Sequence, residues 1–122
     1  MQMPEPREDI LARKDRIVSR LHEVLPADAV IDDGIELKAY ECDALSAYRC
    51  PPMCAVLPTS TAEVSAVMKI CHAEGVPVVP RGSGTSLAGG ALPTADSVIL
   101  GVARLADVLE VDYANRFIRV EA

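Results

Sequence analysis

The segment CAVLPTSTAEVSAVMKICHAEGVPVVP, residues 54–80, decides the fold. Its first five residues are a short apolar run suited to a buried strand. Ser60-Thr61-Ala62-Glu63 then follows the S-x-x-E pattern of a capping box, in which both side chains satisfy free amides at a helix start. Val64, Val67, Met68 and Cys71 recur at i, i+3, i+4 and i+7 and predict one apolar helix face. Gly75 stands where a left-handed C-terminal cap is expected, and VPVVP (76–80) is a second apolar run. Strand, helix and strand at this spacing predict a βαβ unit with short parallel strands and a right-handed crossover.

Working outward, Ile10, Ile17, Val18, Leu21 and Leu25 recur at helical spacing and predict one N-terminal helix over residues 6–25, ended by Pro26. AVID (29–32) reads as a short strand, and Asp33-Gly34 as a turn. Residues 41–53 lack a clear period; a short helical turn is expected there before Pro51-Pro52 imposes an extended path. SVILGV (97–102) supplies a third buried strand. Residues 107–122 hold two alternating segments around Asn115 and predict a β-hairpin. The expected class is mixed α+β or α/β: a helical segment over residues 1–28, an irregular connection over 29–53, and the βαβ unit with its hairpin over 54–122. The chain stops directly after a strand, so an interrupted domain is expected.

Composition narrows the function. At 122 residues the chain suits one small domain, half hydrophobic and a quarter charged. No stretch approaches the roughly 18 apolar residues of a membrane span, and the polar N-terminus has no signal-peptide core. A net charge of −6 argues against nucleic acid, which needs a basic face. Tyr40, Tyr48, Tyr113 and Phe117 are the only aromatics, too few for a base-stacking platform. The spacing of Cys42, Cys50, Cys54 and Cys71 matches no paired C-x-x-C metal site, so they are read as structural thiols in a reduced, cytoplasmic setting. His22 and His72 fall off the apolar stripes and are read as structural or solvated.

The second βαβ strand runs straight into PRGSGTSLAGGA, residues 80–91. A loop at the C-terminal edge of a parallel sheet stands where ligands bind in open α/β folds. Its glycines allow close approach and positive φ, so that successive amides converge on an anion. Arg81 can add a charge-assisted contact, and Ser83, Thr85 and Ser86 can add hydroxyl donors. The known phosphate templates do not fit. A G-x-G-x-x-G reading from Gly82 meets Leu87 at its last position, and a Walker reading from Gly84 meets Gly90 and Ala91 in place of Lys and Ser/Thr. No helix signal follows the loop. An anion cradle of another kind and a flexible surface connection both remain open on composition.

The order strand, capped helix, VPVVPRGSGTSLAGGA, strand and hairpin resembles the N-terminal half of the FAD-binding domain of the vanillyl-alcohol oxidase/p-cresol methylhydroxylase type. ECDALSAYRCPPMCAVLPTSTAEV and CHAEGVPVVPRGSGTSLAGGALP resemble in particular its glycolate oxidase and D-2-hydroxyacid dehydrogenase branch. The likeness covers nearly the whole chain and is strongest over residues 41–121. It implies FAD, with the pyrophosphate lined by Arg81, Gly82, Ser83, Gly84, Thr85, Ser86 and Leu87, chiefly through backbone amides, and a turn made by Gly89 and Gly90. Thr85 stands where some relatives carry a flavin-linking histidine, so non-covalent FAD is implied. The family reaction oxidises a small 2-hydroxy acid, glycolate or D-lactate, to a 2-oxo acid, with electrons passing to a further acceptor or partner subunit, in the cytoplasm or at the inner membrane's edge. Family members run on through a second FAD lobe and a substrate cap; substrate-handling residues belong there, so no catalytic or metal residue is named, and these 122 residues alone are expected to be inactive. Asp43, Tyr48 and Arg49 fall in a family-like stretch and are read as packing or loop anchors. The competing reading is a non-catalytic anion-binding, nucleotide-binding or assembly module, with an open edge suited to self-pairing.

Overall fold

The structure is a computed structural model and describes residues 3–121. Helices α1 (Glu8–Leu11) and α2 (Lys14–Val24) lead, through a 3-10 turn at Ala27–Ala29, into strand β1 (Val30–Ile31). A 3-10 helix, Glu36–Tyr40, and an irregular stretch precede β2 (Cys54–Val56), α3 (Thr61–Glu74) and β3 (Val78–Arg81). The loop that follows returns to β4 (Val98–Gly101), and β5 (Val108–Asp112) and β6 (Phe117–Val120) close the chain. This is the expected mixed class, with the helix, the strand-helix-strand unit and the terminal hairpin each in place.

The main sheet has the order β1-β2-β4-β3. β2 and β3 are parallel, as expected, but not neighbours: β4 lies between them and pairs parallel with both, while β1 adds an antiparallel edge to β2. The inserted strand is fully buried along Val98–Gly101, which is why its sequence runs apolar without alternation. Both sheet faces are covered. Cys54, Val56, Val98 and Leu100 point toward α1, α2 and α3, into one cluster with Ile10, Ile17, Leu21, Val67 and Cys71. Ala55 and Ile99 point the other way, against Leu37 of the 3-10 helix, with Ile31, Tyr40 and Val79 alongside.

Several local expectations are corrected. The N-terminal helix is broken at Ala12-Arg13: Arg13 Nε donates to the Asp9 carbonyl at 2.9 Å, the acceptor its own N–H would use in a continuous helix, and that N–H turns to Ile10. The helical turn expected within 41–53 lies earlier, at Glu36–Tyr40, started by Asp33, whose Oδ1 accepts from the amides of Ile35 and Glu36. In α3, Met68 is 44% exposed and Ile70 takes its place in the core. The Ser60 hydroxyl accepts from Glu63 N–H as a cap should, but the Glu63 carboxylate reaches back to Thr59 rather than Ser60. Gly75 ends α3 at φ +67°, a left-handed conformation glycine adopts without penalty.

Glu74, the last residue of α3, has a side chain only 5% exposed, yet it is covered by guanidinium groups rather than by apolar core. Arg13 and Arg20 donate to it at 2.6 Å and Arg16 at 2.5 Å, binding the N-terminal helices to α3. Hydrogen bonds from Arg16 and Arg20 hold its carboxyl far below the ordinary range, at about 2. A depressed folded-state value contributes stability that is complete above the unfolded value of 4.5 and lost as pH falls from there toward about 2. Thermal midpoints are therefore expected to fall through that window. Glu74→Gln should lower the midpoint at pH 7 and flatten the acid slope; an unchanged slope would contradict the assignment.

The hairpin is a separate two-stranded sheet, with a bulge between Val108 and Glu110. Val108, Ile118 and Val120 are each more than half exposed on it. Cys54 and Cys71 are buried, and burial pushes their thiols up to about 12 and about 11, so neither forms a thiolate near neutrality. All four cysteines are free, and the described residues contain no group of His, Cys, Asp and Glu able to hold a metal ion.

Candidate functional site

The loop after β3 forms an open concavity of about 280 Å³ at the C-terminal edge of the parallel strands. Residues 80, 82–86, 90 and 91 line it, so Gly82, Ser83, Gly84, Thr85, Ser86 and Gly90 come together around one hollow. None of these lining residues is acidic, although the chain carries 18 Asp and Glu. Among the described residues, no acceptor takes the backbone N–H groups of residues 82–87. A run of free amides bordering a carboxylate-free hollow is an anion nest in chemical terms.

The loop holds its shape by internal ties. Ser86 Oγ accepts from the amides of Ala88 and Gly90, at 3.2 and 3.3 Å, folding the second half back on the first. The Ser83 and Thr85 hydroxyls lie 3.3 Å apart. Gly84 has φ +73°, and a Cβ there would fall inside the Arg81 guanidinium, 2.5 Å from Cζ. Glycine takes the positive φ without strain and leaves the guanidinium where it is.

Three of the expected residues stand elsewhere. Leu87 is 76% exposed and lies outside the lining. Gly89 is outside it too, its Cα facing Leu45. Arg81 turns away from the hollow: Nη1 donates to the Cys42 carbonyl at 2.7 Å, and Cζ lies 5.7 Å from the Tyr40 ring centre. The hollow is therefore lined by backbone and hydroxyl groups, and Arg81 is not among its lining residues.

Asp43 is buried, and its two oxygens accept from Leu45 N–H at 2.9 Å and from Ala91 N–H at 3.4 Å. It anchors the far end of the loop, as the loop-anchor reading expects. Arg49 pairs with Glu41 at 2.9 Å on the surface, and Tyr48 N–H closes a turn onto Leu45. Tyr40 and Cys42 escape a sequence reading. One contributes a ring face and the other a carbonyl, and neither leaves a local signal.

A diphosphate fits this hollow: it offers donors without competing carboxylates, on a backbone that glycine lets come close. The comparisons with known proteins concern the chain as a whole. The family model described as FAD binding domain matches residues 52–122. The glycolate oxidase subunit GlcD of Escherichia coli (strain K12) is 41% identical over 105 residues, covering 86% of this chain and 21% of its own. A D-lactate dehydrogenase of Anaerostipes hadrus is 28% identical over 107 residues, covering 87% of this chain and 22% of its own. Among solved structures, p-cresol methylhydroxylase with substrate bound superposes with a TM-score of 0.76 at 22% identity, over 88% of this chain and 22% of that one. The chain thus spans about a fifth of the length of the curated relatives it matches. With the family model matched over more than half of this chain, and with a fold shared with p-cresol methylhydroxylase, the chain belongs to the FAD binding domain family.

Proposed function

We propose that this chain is the diphosphate-holding part of the FAD site in a flavin-dependent oxidoreductase that converts a small 2-hydroxy acid, such as glycolate or D-lactate, to its 2-oxo acid. The observation that carries the reading is the run of free amides at residues 82–87 around a hollow without carboxylates. The 41% identity to the glycolate oxidase subunit supports the substrate class.

Bound FAD supplies the two-electron acceptor for the hydroxy acid. The chain's own residues hold it. The amides of Gly82 to Leu87 would donate to the diphosphate, the Ser83 and Thr85 hydroxyls would extend that donor set, and Gly84 would admit the anion close to the backbone. Thr85 offers no imidazole for a covalent link, so FAD is held non-covalently. Onward electron transfer would be to further subunits, in a cytoplasmic or inner-membrane-peripheral assembly; the described residues contain no helix long and apolar enough to cross a membrane.

Calorimetric titration separates this reading from general flavin affinity. FAD and ADP share the diphosphate and are expected to bind and compete, whereas riboflavin, which has no phosphate, is not. Riboflavin binding without ADP binding would place the affinity elsewhere.

A further inference from the structure

Both ends of the anion loop are tied to one short segment remote in sequence. At the entry, Arg81 Nη1 donates to the carbonyl of Cys42 at 2.7 Å, and the guanidinium lies over the Tyr40 ring with Cζ 5.7 Å from its centre. At the exit, Ala91 N–H donates to Asp43 Oδ2 at 3.4 Å. The segment is itself held: Asp43 caps Leu45, and Leu37 and Tyr40 pack on Ile99 of the central strand. Between the two ties, the guanidinium fills the space that any side chain at Gly84 would need.

From this arrangement we infer that residues 40–43 act as a clasp, and that Arg81 is a positioning residue which holds the loop open for its ligand instead of contacting it. The inference rests on the anion-cradle reading of residues 82–87. Arg81 is the only cation within the loop, and its sequence position suggests a direct phosphate contact. Its geometry gives it a different task. A guanidinium that donates to a backbone carbonyl and lies over an aromatic ring is fixed on two sides, and its planar fork is suited to such fixed placement. With Gly84 against it, the loop backbone rests on a rigid support. Six free amides have no bonds of their own to hold them in one conformation, so beyond the Ser83, Thr85 and Ser86 side-chain ties the loop depends on support from its ends and from beneath. The Arg81 charge lies behind the amides and raises the potential in the hollow without desolvating against the ligand.

The proposal separates from a direct role by spectroscopy on the intact chain. In ligand-free protein labelled with nitrogen-15, amides of residues 82–91 are expected to show order parameters of about 0.85. Arg81→Met and Asp43→Asn, which release opposite ends, should each drop them below about 0.6 while leaving those of α3 and β4 unchanged. Inorganic pyrophosphate is then the probe. In the wild type it should shift the amides of residues 82–87 and leave the Arg81 Nε–H resonance nearly in place. If release leaves the loop competent a tenth of the time, each variant binds pyrophosphate about tenfold more weakly, and the double variant loses less than the sum of the two. Arg81→Lys keeps the charge but not the fork and should recover only part of the order. A loop that stays ordered in Arg81→Met, or a large Arg81 Nε–H shift on binding, overturns the clasp. Wild-type amides that ignore pyrophosphate would instead overturn the cradle, and the ligand-free order parameters would still decide the clasp.

Discussion

Gly84→Asp is expected to weaken FAD and ADP binding roughly a hundredfold or more, a loss of about 2.7 kcal/mol, with the circular dichroism spectrum largely preserved. Two effects combine. The position has φ +73°, and its Cβ would fall inside the Arg81 guanidinium, 2.5 Å from Cζ and 2.9 Å from Nε, so the new side chain must displace Arg81. The displaced guanidinium then has a carboxylate to pair with and leaves the Cys42 carbonyl. The second effect is electrostatic. The lining holds no carboxylate, and a negative charge a few Å from a diphosphate repels it by an amount well above thermal energy even at an effective dielectric of about 20. Gly84→Ala carries the steric part without the charge and should lose less. The fold survives because Gly84 lies in an open loop outside both core clusters. Calorimetric titration of the three proteins with ADP reads the series directly; equal affinity for Gly84→Asp and wild type would remove the loop from the site.

Ile99→Ala carries the largest expected stability loss, about 2–5 kcal/mol, against total stabilities of about 5–15 kcal/mol for domains of this kind. Ile99 is completely buried in β4, between β2 and β3, and faces Leu37 and Ala55 with Tyr40 and Val79 alongside. Truncation leaves a void on that face which the backbone of a central, doubly paired strand cannot close. The thermal midpoint should drop by about 8–20 °C. Ile99→Val removes one methyl and should cost about 0.5–1.5 kcal/mol. Because Tyr40 packs on this cluster and also lies under Arg81, Ile99→Ala should weaken ADP binding even at temperatures where the variant stays folded. An Ile99→Ala midpoint within a degree or two of wild type would show that this face is not the packed layer described.

What the sequence made legible is local. Ser60, Gly75 and the apolar runs on either side mark the strand-helix-strand unit, because caps and burial act within a few residues of where they are read. The glycine loop was legible for the same reason: its composition and its place after a strand both lie in one segment. Strand order was not, since the insertion of β4 between β2 and β3 depends on which long-range ladder buries more apolar surface, and both runs look alike. The break at Ala12-Arg13 was hidden because Arg13 has no sequence signal for turning its Nε onto the Asp9 carbonyl, while its Nη1 reaches Glu74, 61 residues away. Arg81 shows the same limit within the site. Its type and position fit a phosphate ligand, and only the carbonyl of Cys42 and the ring of Tyr40, about forty residues earlier, turn it into a support. Asp43 was legible as an anchor by type, but not the amide that it holds.

The central claim is that the amides of residues 82–87 hold the FAD diphosphate, and phosphorus-31 resonance of FAD reads that group itself. On addition of the wild-type chain, both diphosphate signals are expected to shift and broaden, while Gly84→Asp at the same concentration leaves them at their free positions. Signals that stay unmoved by the wild-type chain, or that move equally with Gly84→Asp, would contradict the account.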